Sequence, residues 1–235
     1  MSIYLTGDTH GSQLQGKWGL NRLSHKNWLE GKDLNKSDYV IIAGDFGLLF
    51  HSEQTKEEKW WLSWLEDKPW TTLFVCGNHE NFVKLYELET ISFCSGVVGK
   101  VNSSIFHLKR GEIYQIQGKK ILTFGGAESI DKLNRIDGIS WWKEEIPSYA
   151  EMDHCLDNLN EHNFKVDIIV AHTCPSFIVP MITNYSEYTL QDPTTKMLEH
   201  IVRSTTFEDY YCGHWHIDRD YGKYHFVYTE ILKIA

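Results

Sequence analysis

Residues 39–47 read Tyr-Val-Ile-Ile-Ala-Gly-Asp-Phe-Gly. Five uncharged residues, four of them large, run directly into a glycine and a carboxylate. A strand without a polar face belongs in a sheet covered on both sides. The pattern recurs along the chain. Ile3-Tyr4-Leu5 leads to Gly7-Asp8, and Thr72-Leu73-Phe74-Val75-Cys76 leads to Gly77-Asn78. Asp167-Ile168-Ile169-Val170-Ala171 leads to His172, and Tyr210-Tyr211-Cys212 leads to Gly213-His214. Between the second and third strands, Glu53 to Asp67 is rich in Glu, Lys, Leu and Trp and predicts a helix. Apolar strands separated by helices imply a parallel sheet.

The middle of the chain is different. Ile105–Leu108, Ile113–Ile116 and Ile121–Phe124 are short runs separated by Lys-Arg-Gly and Gln-Gly-Lys, which predicts an antiparallel meander. Ser148-Tyr149-Ala150-Glu151 has the capping-box pattern and predicts a helix start. A further helix is expected over Thr194–Val202 and a last strand over Tyr224–Ile231. The expected fold is α/β, with two packed mixed β-sheets sandwiched by helices, in one domain over residues 1–235.

Composition narrows the function. The chain has 235 residues, 42% hydrophobic and 23% charged, with a formal net charge of -9. Phosphate-backbone binding needs clustered Lys and Arg, so nucleic acid is a disfavoured partner. The opening MSIYLTGDTHG lacks a basic region followed by a long apolar run, and no stretch reaches the roughly 18 apolar residues of a membrane span. The five cysteines, at 76, 94, 155, 174 and 212, are odd in number and form no CxxC pair. A reduced, cytoplasmic protein with no membrane partner is expected.

The polar groups at the strand ends carry the chemistry. They are Asp8-Thr9-His10, Gly44-Asp45, Gly77-Asn78-His79-Glu80, His172 and Gly213-His214-Trp215-His216. Imidazole and carboxylate together suit transition-metal ions. There are more candidate ligands than one tetrahedral ion uses, and two ions sharing a carboxylate would use them. Residues i and i+2 of an extended or turn segment point the same way, so Asp8 and His10 can reach one ion, and so can His214 and His216. An Asn ligand adds a neutral carbonyl oxygen. A single histidine at a strand end is ordinarily just hydrogen-bonded or solvated, and Gly-Asn-His-Glu alone reads as a turn with a helix cap. Five such groups in order, each after an apolar strand, are not explained by turns.

The ordered blocks GDTHG (7–11), GDFG (44–47), GNHE (77–80), AHTCPS (171–176) and GHWH (213–216) resemble those of the calcineurin-like metallophosphoesterases. The resemblance runs from residue 7 to 216. It implies a two-sheet sandwich with a dinuclear metal centre at the strand ends. One ion would be held by Asp8, His10, Asp45 and His216, and the second by Asp45, Asn78, His172 and His214, with Asp45 bridging. The ions would be divalent or trivalent Mn, Fe, Zn, Ni or Co, with Mn favoured. His79 would sit over the substrate phosphate, with Asn78 also in contact. The implied activity is hydrolysis of a phosphate ester by a phosphatase or phosphodiesterase, with a metal-bound hydroxide attacking in line between ions about 3.5–4 Å apart. The substrate would be a small molecule, a nucleotide or a phosphoprotein.

Protein phosphatases of this superfamily carry GDxVDRG at the second block, whereas Gly44-Asp45-Phe46-Gly47-Leu48 lacks both the second Asp and the Arg. The partner that orients His79 must come from elsewhere. Arg135, downstream of Gly125-Gly126-Ala127, is the candidate phosphate-binding cation, and an i,i+4 helix pair with Asp131 is the plainer reading. Trp141 and Trp142 are candidates for a stacking wall or for the core. The other histidines, at 25, 51, 107, 154, 162, 200 and 225, take no role. A non-catalytic protein-binding scaffold on the same fold is the alternative, but a scaffold needs none of these ligands.

Overall fold

A computed structural model describes residues 1–11, 16–183 and 192–235. Thirteen strands among them form two sheets. The first has the order β13-β1-β2-β3-β6-β5-β4, from β1 (Ile3–Thr6), β2 (Tyr39–Ile42), β3 (Thr71–Val75), β4 (Glu89–Phe93), β5 (Gly96–Lys100), β6 (Ile105–Leu108) and β13 (Ile231–Lys233). The second has the order β11-β12-β10-β9-β8-β7, from β7 (Ile113–Ile116), β8 (Lys119–Phe124), β9 (Ile168–Ala171), β10 (Asp209–Cys212), β11 (Arg219–Tyr221) and β12 (Tyr224–Phe226). Each sheet is parallel at its centre, β1-β2-β3-β6 and β8-β9-β10-β12, and antiparallel at its edges.

The helices are α1 (Lys56–Glu66), α2 (Phe82–Glu87), α3 (Tyr149–Glu161), α4 (Val179–Ile182) and α5 (Pro193–Ser204). Side chains of a strand alternate between its faces, and both faces are apolar here. Ile3, Leu5, Ile41, Leu73 and Val75 point between the sheets, against Ile121, Ile168 and Val170. Their neighbours Tyr4, Val40, Ile42 and Phe74 point outward to Leu62 and Leu65 of α1 and Phe82 and Leu85 of α2. On the far side Leu122, Phe124, Ile169 and Tyr210 meet α3 through Met152, Cys155 and Leu159, and α5 through Leu198 and Ile201. The result is a sandwich of two sheets with helices outside, as the continuous apolar runs predict.

Three expectations need correction. Ile105–Leu108 is not in a meander with the next two runs: β6 pairs parallel with β3 in the first sheet, and the chain crosses to the second sheet at Lys109-Arg110-Gly111. The buried Arg110 explains the crossing. Its guanidinium donates to the carbonyls of Gly125 (3.0 Å), Glu144 (2.9 Å) and Glu145 (3.0 Å) and pairs with Glu151, bonds that a solvent-facing hairpin turn would not offer. Of the two separators, Gln117-Gly118 is a two-residue hairpin turn, with φ of 54° and 77°, matching the mirror-image turn that suits strand twist. The expected strand over Tyr224–Ile231 is two strands, β12 in the second sheet and β13 in the first. The hairpin β4–β5 and the edge strand β11 carry no apolar run and were not anticipated.

The Ser148 cap does form. Ser148 Oγ accepts from Glu151 N, and the Glu151 carboxylate accepts from Ser148 N at 2.7 Å. Ser148→Ala removes the side-chain acceptor from an exposed site, and we expect it to cost about 1 kcal/mol in urea denaturation; an unchanged midpoint would mean that Glu151 holds the turn alone.

Candidate metal centre

Both sheets aim the carboxyl ends of their central strands at one region. Asp8 follows β1, Asp45 follows β2, Asn78 and His79 follow β3, His172 follows β9, and His214 and His216 follow β10. The residues singled out in the five blocks therefore converge across the seam between the sheets. Asp8, Asp45 and His172 have ligand-type atoms within 4.8 Å of one another, as do Asp8, His10 and His216, and likewise His10, Asp45 and His79.

The local backbone is unusual. His10, Asp45, His214 and His216 have φ of 47°, 46°, 65° and 51°, in the left-handed region. This, rather than strand-like alternation, turns Asp8 and His10, and His214 and His216, toward common points. Such conformations cost about 1 kcal/mol or more apiece in non-glycine residues and gather at functional sites. The loops are held from behind. Glu80, fully buried, accepts from Phe46 N at 2.7 Å, and Arg22 donates to the carbonyls of Asp8 (2.6 Å), Trp18 (2.6 Å) and Tyr228. Neither residue was given a role from sequence, because loop-bracing residues leave no spacing signal.

The donor set fits metal ions. Asp8 and Asp45 are buried, and among the described residues neither is paired with Lys or Arg. Backbone N–H groups reach them instead, from His214 to Asp8 at 3.0 Å and from His79 to Asp45 at 2.8 Å. His172 Nδ1 donates to the Ala43 carbonyl at 2.9 Å, which leaves Nε2 as an acceptor. That Nε2 faces Asn78 Oδ1, also an acceptor, at 3.0 Å, and His214 Nδ1 lies 3.1 Å from the same oxygen. His10 Nε2 and His216 Nε2 face each other at 3.1 Å. Imidazole nitrogens, carboxylate oxygens and an amide oxygen gathered at these distances are a donor set that a cation can coordinate. Desolvation pushes His214 down to about 3, with His172 beside it adding to the shift, so the ring is a neutral ligand. Hydrogen bonding to Asp8 raises His216.

His79 and Arg135 meet. Arg135 Nη2 donates to His79 Nε2 at 2.9 Å, and Arg135 Nε pairs with Asp131 at 2.8 Å. Arg135 therefore makes the Asp131 pair that was the plainer reading of the sequence and adds a contact to His79 that was not expected, although residues 132–134 form a 3-10 turn and not an α-helix. It also supplies the partner for His79 that the GDFG block lacks. Burial lowers the His79 pKa, and Arg135 opposes protonation further. Trp142 is buried against Phe50, with ring centroids 5.5 Å apart, and so belongs to the core.

The sequence profile described as calcineurin-like phosphoesterase matches residues 1–218, a span that contains all five blocks. The chain belongs to this family of metal-dependent phosphoesterases, whose centres are dinuclear. No curated protein sequence matches the chain. Among solved structures it is similar to the phosphopantetheinyl hydrolase of Mycobacterium tuberculosis, at 15% identity and TM-score 0.43, covering 96% of this chain and 87% of the other. It is also similar to a putative 5'-nucleotidase from Staphylococcus aureus in complex with alpha-ketoglutarate, at 14% identity and TM-score 0.49, covering 96% of this chain and 48% of the other. Among the described residues no helix is long and apolar enough to cross a membrane.

The packing around the carboxylates leaves no room at the preceding glycines. A Cβ on Gly77 would lie 1.9 Å from Asp45 Oδ1, and one on Gly213 would lie 2.0 Å from Asp8 Oδ1. Gly77→Ala should therefore destabilise the metal-free protein by about 2 kcal/mol or more, read from the denaturant midpoint. A neutral substitution would show that the β2 and β3 loops part easily.

Proposed function

We propose that the chain is a phosphoric ester hydrolase, acting as a phosphatase or phosphodiesterase through a pair of metal ions. Asp8, His10, Asp45 and His216 would hold one ion, and Asp45, Asn78, His172 and His214 the other, with Asp45 shared and manganese the favoured metal. The reading is carried by one observation, the convergence of these seven imidazole, carboxylate and amide side chains at the seam between the sheets. When bound, such a pair supplies positive charge for the phosphoryl oxygens and activates water as the nucleophile. The substrate class is a phosphate ester of a small molecule, nucleotide or phosphoprotein, and the protein acts in the cytoplasm as one domain.

The chain's own groups complete the chemistry. Arg135 spends its Nε–H on Asp131 and one N–H each on Ser140 O (3.4 Å) and His79, which leaves one N–H on each Nη for a phosphoryl oxygen. Because His79 accepts at Nε2 from Arg135, its proton sits on Nδ1, and that N–H is a hydrogen-bond donor for a phosphoryl or ester oxygen; full proton transfer to the leaving group would need a protonated ring. Asn78 is placed to touch substrate while its oxygen serves as a ligand.

Assay of p-nitrophenyl phosphate and bis(p-nitrophenyl) phosphate with added Mn²⁺ tests the reading. Hydrolysis of at least one is expected, and failure on both would favour a protein-binding scaffold on the same fold. We expect His79→Ala to retain its metal and to turn over about 100-fold more slowly, the order of effect of a lost proton-donating or hydrogen-bonding group at the ester. Unchanged turnover in the metal-loaded variant would remove His79 from the mechanism. Asp45→Asn should lose metal by elemental analysis, and full occupancy of two ions in that variant would contradict the bridge.

A further inference from the structure

Asn78 presents its oxygen, not its NH2, to the metal centre, where it faces His172 Nε2 at 3.0 Å and His214 Nδ1 at 3.1 Å. The His172 Nδ1–H bond to Ala43 O leaves a lone pair on Nε2 facing Asn78 at 3.0 Å. An amide NH2 turned that way would make a hydrogen bond. With His172 neutral, its Nε2 favours the opposite orientation, and the bonds on the far side of the amide favour the one observed.

Those bonds form a chain with a fixed polarity. Asn78 Nδ2 donates to Ser129 Oγ at 3.0 Å. Ser129 Oγ donates to Glu145 Oε2 at 2.6 Å, and Ser129 N donates to Glu145 Oε1 at 2.7 Å. A carboxylate only accepts, and a hydroxyl has one proton to give. Once that proton points at Glu145, Ser129 Oγ offers only lone pairs to Asn78, and the amide must answer with its NH2. Asn78, Ser129 and Glu145 are 5%, 2% and 0% exposed, so water does not reroute the chain.

We propose that Ser129 and Glu145 are positioning residues that set the polarity of Asn78, so that its carbonyl oxygen is delivered to the metal centre beside His172 and His214. The proposal rests on the metal-site reading above. Neither residue belongs to a motif block. Ser129 also begins the segment that carries Arg135 to His79, so the same two bonds to Glu145 pin the start of that segment.

Glu145→Gln is close to isosteric but presents an NH2 to Ser129. The Ser129 proton then turns to Asn78 and draws the amide oxygen away from the site. In an N78D background there is an oxygen on both arms, so no polarity is lost. Mn²⁺ binding is measured by calorimetry on the full-length metal-free chain as wild type, E145Q, N78D and the double variant. E145Q is expected to weaken one of two Mn²⁺ sites about 10-fold or more with Asn78 in place, and less than about 2-fold in the N78D background. Simple distortion of the fold would give equal losses in both backgrounds. Equal losses, or no loss in either, overturn the proposal. Should circular dichroism show E145Q unfolded, Ser129→Ala is compared in the same two backgrounds with the same coupling expected. Absence of a Mn²⁺ pair in the wild type would overturn the metal-site reading and this proposal with it, an outcome distinct from a wild type that binds two ions beside an E145Q that binds them equally well.

Discussion

Two carboxylates, Asp8 and Asp45, lie buried beside each other at the ends of adjacent parallel strands, and no Lys or Arg among the described residues pairs with either. Removing carboxylates from water costs several kcal/mol each unless charge or hydrogen bonds compensate. Burial alone raises the Asp45 carboxyl, whereas the His79 N–H and positive charge beside it, which the rings of His172, His79 and His10 carry only when protonated, lower it. With neutral rings the arrangement is short of positive charge, a condition that suits a cation site in a metal-dependent family. The strained backbone at His10, Asp45, His214 and His216 is tolerated on the same terms, because the surrounding loops leave those residues no other conformation.

The fold makes this possible through the direction of its strands. The centre of each sheet is parallel, so several strand ends reach the same edge of the sandwich and donors from both sheets meet at the seam. The structure keeps its charged bracing just outside that seam. Glu80 ties the β2 and β3 loops together, Arg22 ties the β1 loop to the backbone near the C-terminus, and Arg110 locks the crossing between the sheets. Each is buried and donates to, or accepts from, backbone groups, so each fixes chain geometry without entering the metal centre.

The convergence of the candidate metal-ligating residues was legible because they follow strands that advertise themselves. An apolar run such as Tyr39–Ala43 states its own burial, and the polar group after it is conspicuous by contrast. What failed was pairing. Ile105–Leu108 and Ile113–Ile116 look like neighbours in a meander, yet Arg110 sends them into different sheets. The edge strands β4 and β11, and β5 beside β4, gave no signal, since strands at or next to an exposed edge do not require a continuous apolar run. Glu145 was invisible for another reason. It lies 67 positions from Asn78 and acts through Ser129, so spacing along the chain carries no trace of the contact.

By itself the sequence determined which strands are buried on both faces and which donor types stand at their ends, because apolar periodicity and residue chemistry are local properties. Only the tertiary structure decided which strands share a sheet, where Arg135 lands, and which atom of Asn78 faces inward. Those outcomes depend on contacts between residues far apart in the chain, and on hydrogen-bond polarity in a dry interior where each proton can be given only once.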